Sequence, residues 1–155
     1  MKSKSKYLKL VFNLAFLFCL IISVNACKKK QPTQAQANNP VPSVPIDFVI
    51  YPNNPTYFPI QSIGGWMYIN NVGVNGIVVY RKSNEEFVVL ERTSSYLPDN
   101  SYARVKVQSN NFDLKDTISG SKWRMFDGEV INGPATWPLR RYGASYNGNS
   151  LRIIN

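Results

Sequence analysis

The chain contains no histidine, and its only two cysteines, Cys19 and Cys27, fall within the first 27 of its 155 residues. These shortages exclude a good deal of chemistry. Beyond Cys27 there can be no disulfide, and no thiolate or imidazole is on offer to zinc or to an iron–sulfur cluster. A Ser-His-Asp triad is impossible without histidine. Helical periodicity is also missing, since no stretch of ten or more residues spaces its apolar side chains for an amphipathic helix. No glycine-rich phosphate loop leads into a helix, so nucleotide binding has no support. Acidic residues are few, 9 against 18 lysines and arginines, for a net charge of +9.

That positive charge is unevenly placed. Lys2, Lys4, Lys6, Lys9 and Lys28, Lys29, Lys30 account for seven basic residues, leaving 11 against all 9 acidic ones in the rest of the chain, which is therefore near +2. A nucleic-acid binder carries its excess on the folded surface. Here the excess sits where a membrane would be, and no nucleic-acid partner is expected.

The early lysines precede an apolar run over residues 10–24, broken only by Asn13 and Ser23. Its length suits a secretory signal and is short for a bilayer span of about 20 residues. Val24-Asn25-Ala26-Cys27 follows and resembles a lipobox: an aliphatic residue, a small residue before the cleavage point, then the cysteine that is acylated. The expectation is a signal peptide over 1–26 and a bacterial-type lipoprotein whose Cys27 carries lipid. Its partner is then the lipid bilayer, and its place is the cell envelope, outside the cytoplasm. Two or more acyl chains hold a protein firmly, and Lys28 to Lys30 add attraction to anionic headgroups.

Residues 27–45 read as a flexible tether. The stretch is rich in Gln, Asn, Ala and Pro, with Pro32, Pro40, Pro42 and Pro45, and has no hydrophobic period. From residue 46 onward short apolar runs alternate with turn chemistry. Val78-Val79 and Phe87-Val88-Val89 are rich in β-branched residues. Ala103, Val105 and Val107 alternate with Arg104, Lys106 and Gln108; Phe112 with Leu114 and Trp123 with Met125 continue the period of two. Leu151, Ile153 and Ile154 form a last strand. Asn53-Asn54-Pro55, Gly64-Gly65, Asn75-Gly76, Pro98-Asp99-Asn100, Asp127-Gly128, Asn132-Gly133-Pro134 and Asn147-Gly148 punctuate these runs. The pattern predicts one all-β domain over 46–155, a small sandwich or barrel of short antiparallel strands.

Over residues 64–155 the chain resembles the Rieske [2Fe–2S] domain. The resemblance rests on Gly73-Val74-Asn75-Gly76-Ile77-Val78-Val79-Tyr80-Arg81, Phe87-Val88-Val89-Leu90-Glu91-Arg92-Thr93, Ser119-Gly120-Ser121-Lys122-Trp123-Arg124-Met125-Phe126-Asp127-Gly128, and above all Gly133-Pro134-Ala135-Thr136-Trp137-Pro138-Leu139. It implies two loops, Cys-x-His and Cys-x-x-His, that hold the two irons through paired thiolates and imidazoles. Placed on this sequence, the loops are Ser94-Ser95-Tyr96 and Asp116-Thr117-Ile118-Ser119. All four implied ligand positions, Ser94, Tyr96, Asp116 and Ser119, carry other residues. A cluster that needs soft sulfur donors is not expected, and no other cofactor or metal is. The loops are expected to meet at one end of the domain, where these four side chains could hydrogen-bond to one another. Tyr96, Tyr102 and Trp137, with Arg140 and Arg141 nearby in sequence, are candidate contacts for a binding tip.

Other constellations are thin. Ser119-Gly120-Ser121-Lys122 matches the S-x-x-K spacing of penicillin-binding enzymes but enters a short strand, not a helix. Asp113 with Asp116, and Asp127 with Glu129, supply two carboxylates each, few for calcium or for a hydrolytic pair. The expectation is a non-enzymatic interaction or structural module meeting an envelope protein or polymer. The alternative is the Rieske-type electron-transfer or oxidoreductase component that the fold alone would suggest.

Overall fold

The computed structural model describes residue 36 and residues 38–155; the signal sequence, Cys27 and Lys28 to Lys30 lie outside the described residues. From residue 38 onward the chain is all-β apart from a short 3-10 segment, Pro55–Ile60. Its strands are β1 (Asp47–Ile50), β2 (Trp66–Ile69), β3 (Ile77–Arg81), β4 (Phe87–Glu91), β5 (Val105–Val107), β6 (Asp113–Asp116), β7 (Lys122–Arg124), β8 (Val130–Asn132), β9 (Arg141–Tyr146) and β10 (Leu151–Ile154).

Two antiparallel sheets result. One has the order β1-β10-β9-β4-β3-β2, the other β5-β6-β7-β8. The smaller sheet is a single insertion between β4 and β9, which are themselves paired through Val89–Tyr142 and Leu90–Arg141. β3 and β4 read as unbroken apolar runs because both of their faces are covered, and every residue in them is buried. On one face Val78, Tyr80, Val88 and Leu90 pack against Val105, Leu114, Trp123 and Met125 of the insertion. On the other, Ile77, Val79 and Val89 pack with Ile50, Leu151 and Ile153. Ile50 on β1 and Ile77 on β3 stand four strands apart in the sheet yet share one core, so the larger sheet curls round on itself.

The expected strands around Val78, Phe87, Val105, Leu114, Trp123 and Leu151 are all present. Phe112 departs from expectation: it lies ahead of β6 and is exposed while Leu114 is fully buried. β2 has no clean alternation because this edge strand is anchored by polar tips. Trp66 Nε1 donates to Asn111 Oδ1 at 3.0 Å, and Tyr68 Oη accepts from the Val107 N–H at 2.8 Å.

A buried carboxylate joins these parts. Glu91, at the end of β4, is fully buried. It accepts five hydrogen bonds: from the N–H groups of Val74, Asn75 and Thr93 at 2.8, 3.0 and 3.0 Å, from Thr93 Oγ1 at 2.8 Å and from Tyr142 Oη at 2.7 Å. Gly73 completes the fit. It has φ +73°, and a Cβ there would strike the Glu91 carboxylate and the Tyr142 hydroxyl. Burial, then the Glu91 charge and hydrogen bond, push the Tyr142 hydroxyl far above its ordinary pKa.

The folded body also begins earlier than composition indicates. Arg140, expected near a binding tip, is instead buried and grips the segment before β1. Its Nε and Nη2 donate to the Val41 carbonyl at 2.8 and 2.6 Å, and Nη2 reaches the Asn39 carbonyl at 3.3 Å. Asn39 Nδ2 donates to the Pro138 carbonyl at 2.7 Å, and Val41 is fully buried. Gln36 brackets β9 with its amide, donating to the Leu139 carbonyl at 3.1 Å and accepting the Arg141 N–H at 2.8 Å. The residues from Asn39 to Val41 are therefore fastened to the domain and not a free tether.

Two outcomes are expected. The unfolded chain releases the Tyr142 proton near pH 10 and the folded chain does not, so this residue's contribution is complete below pH 10 and lost as pH rises beyond it. Urea unfolding of wild type and Tyr142→Phe will show a stability gap that is widest below pH 9 and narrows above pH 10. Arg140→Gln strands buried carbonyls and will cost about 1–3 kcal/mol. In limited proteolysis it will open cleavage near Val41 that the wild type resists.

Candidate functional site

The two loops leave the inserted sheet where it joins β4 and β9. In the first, the Ser94 N–H donates to the Ala103 carbonyl at 2.9 Å, and an isolated bridge pairs Thr93 with Arg104. Ser94 is fully buried, and its Oγ accepts the Tyr96 N–H at 3.3 Å. Ser95, between the two expected ligand positions, donates Oγ–H to the Trp137 carbonyl at 2.6 Å.

The second loop is a tight turn closed on itself. The Gly120 N–H donates to the Asp116 carbonyl at 2.8 Å, and the Asp116 N–H to the Ser121 carbonyl at 3.0 Å. The buried Asp116 carboxylate accepts the Ile118 N–H at 2.9 Å and the Ser119 hydroxyl at 2.6 Å. Ser119 Oγ lies 3.0 Å from Ser121 Oγ, which accepts the Ala135 N–H at 3.0 Å. A hydroxyl has one proton. With that of Ser119 given to Asp116, the link to Ser121 uses the Ser121 proton, and both hydroxyl protons of the chain Ala135–Ser121–Ser119–Asp116 are used.

Among the described residues, Ser94 and Tyr96 make no hydrogen bond to Asp116 or Ser119. The structure joins the loops through a third segment. Trp137 accepts Ser95 Oγ–H on its carbonyl and also Trp123 Nε1–H at 3.0 Å, while Ala135 two residues earlier holds Ser121. The direct cross-loop bonding expected from the sequence is thus replaced by a bridge over residues 135–137. Ser95, Ser121 and Ala135 carry that bridge and were missed by sequence reasoning. The serines lay in view, but only as a spacer and a landmark beside the four expected positions.

The tip candidates divide. Tyr96, Ile118 and Trp137 are exposed, and Tyr102 more so at 85%. Arg140 and Arg141 do not join them. Arg140 is committed to Val41 and Asn39, as above. Arg141 lies on β9 and reaches back toward the β3–β4 hairpin, with Nη2 3.7 Å from the Glu86 carboxylate, which also holds Lys82 at 3.0 Å. Adjacency in sequence misled here because β9 begins at Arg141 and turns its side chain away from the loops.

The paired carboxylates are separated by their own partners. Asp113 accepts Asn110 Nδ2 at 2.8 Å, while Asp127 is held by Arg124 at 2.7 and 3.2 Å. Arg92, just before the first loop, lies over the Tyr68 ring at 3.8 Å and donates to Asn70 Oδ1 at 3.1 Å. Burial lowers its pKa.

No protein-family model and no curated protein sequence matches the chain. Solved structures similar to it include the following two. The plasma membrane Rieske protein PetC3 from Synechocystis PCC 6803 shares 19% identity at a TM-score of 0.45, over 58% of this chain and 85% of that one. A complex of reduced oxygenase and oxidized ferredoxin in carbazole 1,9a-dioxygenase shares 18% identity at a TM-score of 0.44, over 61% of this chain and 83% of that one.

Proposed function

We propose that the chain is a cell-envelope lipoprotein, anchored through acylated Cys27, whose Rieske-like domain holds no [2Fe–2S] cluster and serves as an interaction or structural module. One observation carries this reading: the second-loop positions Asp116 and Ser119 are bonded to each other within the chain Ala135–Ser121–Ser119–Asp116. Iron could take the Ser119 oxygen only by displacing those bonds. The first loop adds Ser94 Oγ, occupied by the Tyr96 N–H, and a tyrosine hydroxyl. A hydroxyl oxygen is a hard donor and no substitute for a soft thiolate. This donor set does not suit a cluster that depends on thiolate and imidazole, so no electron-transfer step is assigned to it. No helix among the described residues is long and apolar enough to cross a membrane, and the lipid on Cys27 supplies the attachment.

Anaerobic purification followed by elemental analysis and visible absorption tests the reading. The expected result is no stoichiometric iron; two irons per chain with bands that bleach on reduction would overturn it. Ser121→Ala leaves the buried Ala135 N–H without its acceptor and will cost about 1–3 kcal/mol in urea unfolding. Cys27→Ser will abolish incorporation of labelled fatty acid and leave the chain unprocessed.

A further inference from the structure

The place where the chain leaves the domain bears on which surface meets the lipid. Residues 39–41 are clamped against Pro138 and Arg140, and Gln36 against Leu139 and Arg141. The exit therefore lies a few residues from Trp137, whose carbonyl holds Ser95, the neighbour of Tyr96. Tyr102 belongs to the same loop, which is closed by the Ser94 N–H on the Ala103 carbonyl. The exit and three exposed aromatics, Tyr96, Tyr102 and Trp137, share one end of the domain.

The length of chain between Cys27 and Gln36 is decisive. Those nine residues of sequence can span no more than about 32 Å at full extension. A domain of roughly 118 residues has a radius of gyration of about 13–14 Å, hence a diameter of about 35 Å. The leash is shorter than the domain is wide. A lipid on Cys27 therefore keeps Gln36 within about 32 Å of the bilayer surface. Such a leash also holds the exposed aromatics at high effective concentration beside the headgroups. Tyrosine and tryptophan suit that layer, because their rings enter the acyl boundary while their polar atoms stay wet. Arg104 and Lys106, exposed on and beside β5, outnumber the exposed Asp99 of the first loop and favour anionic headgroups.

We infer that the tip formed by Tyr96, Tyr102 and Trp137 docks onto the lipid surface to which Cys27 is attached, so that the former cluster end rests on the membrane. This rests on the lipoprotein reading of Cys27. The test uses the acylated full chain reconstituted in phosphatidylethanolamine/phosphatidylglycerol vesicles, with and without brominated acyl chains, reading tryptophan emission. Trp123 is fully buried and Trp66 is tied to Asn111, so Trp137 is the reporter at the tip. Brominated lipid is expected to quench wild type, with the quenching lost in Trp137→Phe. It should also be lost in the double variant Tyr96→Asp/Tyr102→Asp, which keeps the reporter. Equal emission in the two vesicles, from protein that floats with them and carries an acylated amino-terminal peptide, would overturn the docking and leave the anchor intact. Mass spectrometry showing unmodified Cys27 would instead remove the anchor, and the docking with it.

Discussion

The constraint on which the rest depends is a carboxylate shut away from solvent. Glu91 lies opposite Ile77 and against Tyr142, where an ionised group without compensation costs several kcal/mol. Five donors compensate it, and they come from three places: the turn before β3, the end of β4, and β9. Glu91 can be buried only if those three segments meet at the right spacing, and they can meet there only with glycine at position 73. The main chain of the same residue donates to the Arg140 carbonyl at 2.8 Å. The side chain of Arg140 clamps residues 39–41, so the grip on the entering chain is built directly on the Glu91 node.

From that node the polypeptide departs into the inserted sheet and returns. Its loops can change their residues without collapse because their support lies elsewhere. Val105, Leu114, Trp123 and Met125 are buried against β3 and β4. Each such side chain contributes about 1.5–3 kcal/mol, whereas one loop hydrogen bond contributes about 1 kcal/mol net. The insertion is held by its apolar face and by three strand pairings. What its loops hold is secondary to that, and loops tied through serine hydroxyls are compatible with the same scaffold.

Much of this was legible in the sequence, for identifiable reasons. The runs IVVY and FVVL announced strands because a sheet buried on both faces needs no polar positions. Asn147-Gly148 marked the turn ahead of β10, where Gly148 takes φ +91°. β9 was not visible: Arg-Tyr-Gly-Ala-Ser-Tyr has one fully buried side chain, and Gly143 is required by the close approach of Ile154, not by any pattern along its own strand. The positions Ser94, Tyr96, Asp116 and Ser119 were placed by motif, but their bonding was not. The partner that joins the loops, the backbone at Ala135 and Trp137, has no side-chain signature. The segment 39–45 looked like linker for a similar reason. A proline-rich, polar composition says that a chain cannot form its own core, and it is silent about an arginine 99 residues away that captures the carbonyl of Val41.

That last point bears on how the two ends of the domain differ. The β3–β4 hairpin end is charged, with Lys82, Glu86 and Arg141 in a surface cluster whose members are each more than a third exposed. Exposed pairs of this kind add little to stability, and they suit a face kept in water. The loop end spends its serine hydroxyls internally, in the Ser119–Asp116 and Ser95–Trp137 bonds, and leaves Tyr96, Tyr102, Ile118 and Trp137 outward beside the exposed Asp99, Ser101 and Thr117. The asymmetry follows from the bonding. Serine hydroxyls that satisfy one another do not face solvent, and much of the surface left over them is aromatic or aliphatic. Closing the loops through serines thus makes the tip more apolar than its serine content indicates.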